Sequence, residues 1–146
     1  PVMIDAKNPL YSVNGVFNAI FIHGNVLGDA MFYGSGAGKL PTASAVVADV
    51  VDCAKNKGRN IMMSWSEEKL DLLQIDDVQS RFFVRVSGHA AERQAEIEEL
   101  FGKVEIVAVP SLSEEFAFIT GEITEQEYRE KAEKLDGIKS RIRARI

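Results

Sequence analysis

The sequence predicts an α+β protein in two stretches: a β-hairpin running into an apolar helix, then a β-α-β-β-α-β unit. Three observations predict it. The composition changes near Lys57, from apolar, glycine-rich and poor in charge to strongly charged. The first stretch pairs β-branched and aromatic runs with a long helical pattern. The second alternates short strands with amphipathic helices.

Residues 13–22 (VNGVFNAIFI) are rich in β-branched and aromatic side chains and read as a strand. His23-Gly24-Asn25 has turn composition, and residues 30–33 read as a second short strand, so a hairpin is expected. Pro41 suits the first turn of a helix, where its missing N–H costs nothing. That helix is expected to reach Asn56, burying a broad face of Val46, Val47, Val50, Val51 and Ala54, and to stop at Gly58. One hairpin and one apolar helix have no second layer to cover them. Other chain, or another subunit, must supply it.

Residues 58–80 read as a linker, with a short helix expected at 66–73. Ser66 is a good N-cap there, Glu67 and Glu68 suit a first turn, and Trp65 reads as a packing residue. From residue 81 to 146 the pattern is clearer. Residues 81–87 (RFFVRVS) alternate as a strand. Residues 90–101 form a helix with Ala90, Ile97, Leu100 and Phe101 on one side. Residues 103–109 and 115–120 are strands, the first bounded by Pro110. Thr124-Glu125-Gln126-Glu127 is a capping box opening a helix that Gly137 stops. Residues 138–146 alternate: Ile138, Ile142, Ala144 and Ile146 on one face, Lys139, Arg141, Arg143 and Arg145 on the other. The basic residues read as a solvated or edge-protecting face. The element order is the split βαβ pattern of a ferredoxin-like fold, four antiparallel strands with two helices on one face.

No apolar run approaches the ~20 residues that span a bilayer, so no membrane partner is expected. A net charge of −5 argues against nucleic acid. The lone cysteine, Cys53, excludes an internal disulfide, fits a reducing compartment and reads as a small buried helix residue. His23 and His89 lie in unrelated places without nearby cysteines, so no metal site is expected.

The segment with most chemical content is Met31 to Val51, where Gly34, Gly36 and Gly38 alternate with small residues before a helix. A P-loop needs G-x-x-x-x-G-K followed by Ser or Thr. Here Leu40 follows Gly38-Lys39, Tyr33 stands where the first glycine belongs, and Pro41 removes a donor. G-x-G-x-x-G is absent as well. Spacing alone leaves two possibilities: a tight strand-to-helix turn without a ligand, or a bare backbone surface touching a cofactor held mainly elsewhere.

Gly15-Val16-Phe17-Asn18-Ala19-Ile20-Phe21, Gly28-Asp29, Met31 to Gly38 and Pro41 to Asp49 (PTASAVVAD) resemble homoserine dehydrogenase, near-continuously over residues 13–51. The resemblance implies that residues 1–57 are the end of that family's catalytic region, and that the chain is a C-terminal portion. It implies an intact enzyme that reduces aspartate 4-semialdehyde to homoserine with NADH or NADPH, on the route to threonine, methionine and isoleucine. It places a cofactor contact at Gly38, with Gly36 and Ala37 beside it and Thr42 as a further candidate. It offers no catalytic residue here, since the family's catalytic lysine and Rossmann domain lie upstream.

By element order and position, residues 81–146 resemble the ACT domain that many bacterial homoserine dehydrogenases carry. ACT domains use a glycine turn after the first strand in an amino-acid site at a dimer interface. The matching place reads Ser87-Gly88-His89-Ala90, where only Gly88 fits the motif. The resemblance implies Gly88 and His89 as effector-binding residues and threonine as the possible effector. A homo-oligomer is expected because residues 13–51 expose apolar surface with no layer to cover it, and a cytoplasmic location is expected. The rival expectation is a stand-alone ACT-type module that binds an amino acid or assembles, without enzyme activity.

Overall fold

A computed structural model describes residues 1–59 and 62–146; residues 60–61 of the expected linker lie outside it. The chain divides into two compact units, Ala6–Lys69 and Leu70–Ile146, the latter joined by Pro1–Asp5.

The N-terminal strand β1 (Val2–Ile4) belongs to the larger unit. The smaller unit begins with a 3-10 turn, Pro9–Ser12, capped by the Asn8 side chain. Its hairpin pairs β2 (Phe17–Gly24) with β3 (Gly28–Ser35) in unbroken antiparallel register. Both strands are longer at the turn end than the sequence suggests, because His23 and Gly24 pair with Asp29 and Gly28. Residues 13–16, expected in the strand, lie before it: Gly15 takes a positive φ and turns the chain. Helix α1 (Lys39–Lys55) follows, starting two residues ahead of Pro41. Its expected buried face is open within this unit. Val46, Val47, Val50 and Val51 are exposed, and so is Cys53, expected to be buried. With no second layer in the unit, there is nothing to bury them.

The expected helix at residues 66–73 does not form. Ser66 Oγ accepts a hydrogen bond from the Glu68 N–H, the start of a cap, but no helical turn follows. So short a helix is marginal without packing, and Trp65, expected to pack, is 81% exposed.

In the larger unit a 3-10 turn, Ile75–Asp77, leads into β4 (Gln79–Ser87). There follow α2 (Ala90–Phe101), β5 (Glu105–Val107), β6 (Glu115–Ile119), the two-residue β7 (Ile123–Thr124), α3 (Glu125–Ala132) and β8 (Ile138–Arg145). The sheet order is β1-β8-β4-β6-β5, with β7 pairing the start of β4. The pairs among β8, β4, β6 and β5 are antiparallel, while β1 is parallel to β8.

Alternation in β4 sends Phe82, Val84 and Val86 to one face, where they are fully buried. Phe116 and Phe118 of β6, Ile97 and Phe101 of α2, and Tyr128 and Leu135 from α3 and its end complete this core. The rings stack: Phe82 on Tyr128 at 4.4 Å, Phe101 against Phe118 at 5.3 Å. Burial pushes the Tyr128 phenol up, with the Arg141 charge opposing. Thr120, 1% exposed, continues β6 by side chain as well as backbone: its hydroxyl accepts from the Phe82 N–H and donates to the Gly121 carbonyl.

Strand β8 departs from the strict alternation expected of it. Its register against β4 shifts between Arg85 and Val86, so that Ser140 pairs with Arg85 but Ile138 pairs with Val86. Lys139 is the extra residue of a bulge. Ile138 therefore packs on the helix-covered core, while Ile142 and Ala144 lie on the other face of the sheet. Arg141 and Arg143 turn to the helix side. Arg141 sits over the rings of Phe82 and Tyr128, and both guanidiniums engage Glu125, whose side chain is 5% exposed. These two arginines are thus tied to an internal carboxylate, and their strand is no edge where β1 covers it, at Arg143–Arg145.

Candidate functional site

The glycine segment occupies the end of β3 and the turn into α1. Phe17 stacks on Tyr33 at 5.0 Å and fastens the open end of the hairpin; His23 Nδ1 and Asp29 Oδ1, 2.5 Å apart, fasten the other. Gly34 lies opposite Asn18 in the ladder, and Gly36, Ala37 and Gly38 then leave the strand, all exposed. Gly38 is the N-cap of α1 with φ +111°, a conformation that disfavours any side chain. No side chain caps the helix. The carbonyl of Gly38 accepts from both the N–H and the hydroxyl of Thr42, at 3.2 and 2.9 Å. Thr42 therefore holds the turn's shape, and its hydroxyl hydrogen is spent within the turn.

This arrangement fits one wall of a cofactor site. At Gly34, Gly36 and Gly38 no side chain screens the backbone, so a flat group can approach it closely. A Cβ placed on Gly36 would stand 2.7 Å from Nδ2 of Asn18, so a glycine there leaves room for that amide. Asn18, a polar residue in a mostly apolar strand, has no local sequence signal that would single it out; the hairpin register brings it here.

The other candidate residues lie in the larger unit. Gly88, with φ +104°, follows β4 and donates its N–H to the Glu114 carbonyl. His89 is the N-cap of α2 and is exposed, with no side-chain cap bond. They border an open cleft of about 270 Å³ together with Ala108, Pro110, Ser113 and Phe116. Glu115, also on its rim, is held by Arg85 at 2.6 Å and Lys139 at 2.8 Å. The hydrogen bond from Lys139, then that from Arg85, keeps its carboxyl below the ordinary value of 4.5. A carboxyl with a lowered folded-state pKa stabilises the fold above its unfolded value, and that stability is lost as pH falls through the folded one. We expect Glu115→Gln to flatten the acid limb below about pH 4.5 in denaturation midpoints taken from pH 7 to pH 3. Identical limbs for the two proteins would refute the assignment.

Among the described residues, no group of three or more His, Cys, Asp or Glu side chains is placed to hold a metal ion. No described helix is long and apolar enough to cross a membrane.

The homoserine dehydrogenase family model matches residues 1–51, which include the whole hairpin and glycine turn. The homoserine dehydrogenase of Lactococcus lactis is 40% identical over 89 residues, 59% of this chain and 21% of that protein. That of Corynebacterium glutamicum is 54% identical over 57 residues, 39% of this chain and 13% of that protein. Among solved structures, Staphylococcus aureus homoserine dehydrogenase at pH 6.0 aligns over 100% of this chain and 37% of its own, with a TM-score of 0.73 and 25% identity. The Thiobacillus denitrificans enzyme aligns over 97% of this chain and 37% of its own, with a TM-score of 0.71 and 25% identity. The matches thus span about a fifth or less of these curated relatives and about a third of the solved chains. Residues 1–51 thus match the homoserine dehydrogenase family model, and the chain is similar to part of the length of several homoserine dehydrogenases.

Proposed function

We propose that this chain is a C-terminal portion of an NAD(P)-dependent homoserine dehydrogenase, which reduces aspartate 4-semialdehyde to homoserine in the cytoplasm. The observation that carries this reading is the position of the glycine turn inside the family match at residues 1–51. When bound, NADH or NADPH supplies the hydride. This chain's part is to present Gly36, Ala37 and Gly38 as a bare wall beside the cofactor, while Thr42 holds the turn open by bonding the Gly38 carbonyl. No acid, base or catalytic lysine stands beside that wall in the resemblance. The 146 residues alone are therefore inactive. A purified chain that reduces NAD(P) in the presence of homoserine would overturn this.

The larger unit supports a regulatory reading. The β8-β4-β6-β5 order, with both helices on one face, is the strand order of a ferredoxin-like βαββαβ fold. We assign it as an ACT-type domain, with Gly88 and His89 at an amino-acid site and threonine as effector. The exposed apolar residues of the smaller unit, Val46, Val47, Val50 and Phe32 among them, support assembly into a homo-oligomer. Threonine titrated into the chain in a calorimeter is expected to release heat that His89→Ala weakens. The absence of heat with a dimeric mass in light scattering would refute the effector site and favour a domain that only dimerises.

A further inference from the structure

The glycine wall has a polar neighbour without an assigned role. Asn18 projects from β2 on the face it shares with Gly34, and its amide lies against Gly36. Its side chain makes no hydrogen bond to any described residue and is exposed. On the same face Ile20 stands opposite Phe32, 65% and 66% exposed. The hairpin therefore sets one free amide between a strip without side chains and an apolar patch.

We propose that Asn18 reads the carboxamide of a nicotinamide ring lying on this surface. The proposal rests on the reading of Gly36 to Gly38 as a cofactor wall. A primary amide offers one acceptor oxygen and two N–H donors, and a carboxamide offers the same set. Two such groups pair edge to edge, each donating to the other. The patch of Ile20 and Phe32 suits the flat face of the ring, and the bare backbone at Gly34 and Gly36 lets the ring approach. Gly36 is required for a second reason: a Cβ there meets the mobile end of the Asn18 side chain and displaces the amide, leaving the backbone in place.

The test uses a full-length homoserine dehydrogenase in which this chain replaces the matching stretch. The affinity for NAD(P)H and for the 3-acetylpyridine analogue, which lacks the amide N–H, is read by cofactor fluorescence. Asn18→Ala is expected to weaken the natural cofactor about tenfold, the worth of a good hydrogen bond, and the analogue, which keeps the acceptor oxygen but not the donor, by clearly less. Gly36→Ala should do the same by moving the amide. Ala37→Asp, which puts a negative charge on the wall, should weaken both cofactors alike. If Ala37→Asp weakens both but Asn18→Ala changes neither, or changes both equally, the role of Asn18 is refuted and the wall stands. If Ala37→Asp changes neither in a protein of unaltered melting temperature, the cofactor wall itself is refuted, and Asn18 with it.

Discussion

Glu125→Ala is expected to destabilise the larger unit by about 3 kcal/mol or more, the range found when one partner of a buried ion pair is removed. Its carboxylate bonds Arg141 at 3.0 Å through one oxygen and Arg143 through the other. Removing it leaves two guanidiniums beside the aromatic core with no anion. The arginine side chains are 36% and 29% exposed, so water recovers part of the loss and keeps the effect near the lower end of the range. Arg141 also lies 4.8 Å from the Tyr128 ring centre, a contact that suffers if the guanidinium swings out for solvation. Glu125 is the first residue of α3, where a negative charge also favours the helix end. Denaturant unfolding followed by circular dichroism measures the change. Glu125→Gln, which keeps the shape and one acceptor, should fall between wild type and Ala. An alanine variant within 1 kcal/mol of wild type, a small fraction of that range, would show that the pair adds little.

Phe118→Ala is expected to cost about 3–5 kcal/mol in the same measurement, the usual price of deleting a buried aromatic ring. Phe118 is fully buried on β6 and touches the ring of Phe101. β6 lies between β4 and β5, with helix side chains above it, so the backbone has little freedom to close the void. Phe118→Leu, which keeps most of the volume, should lose far less. Equal losses for the two variants would mean that ring volume is not what holds this layer.

The two core effects bear on the candidate effector cleft. Phe116, two residues along β6 from Phe118, lines the cleft, and so does Glu115, held by Arg85 and Lys139. Lys139 reaches Glu115 because the bulge in β8 places it on that side of the sheet. One irregular residue thus moves Arg141 and Arg143 toward Glu125 and Lys139 toward the cleft rim.

What was legible in the sequence was local. The hairpin, helix α1, the alternation of β4, the buried side of α2 at Ile97 and Phe101, and the capping box at Thr124 rest on signals a few residues apart. The glycine turn was legible for the same reason, since the positive φ of Gly38 is a property of its own backbone.

Only the tertiary structure decided what depends on distant partners. It put β1 beside β8, though Val2–Ile4 and Arg143–Arg145 stand at opposite ends of the chain. It shifted the β8 register at Lys139, which turned a predicted solvated face inward onto Glu125. It withheld the helix at 66–73, whose cap was present but which no packing supported. It also set Asn18 against Gly36, two residues beyond Gly34, its partner across the hairpin. Periodicity and capping are written in neighbouring residues, whereas strand partners and bulges follow from which surfaces bury one another.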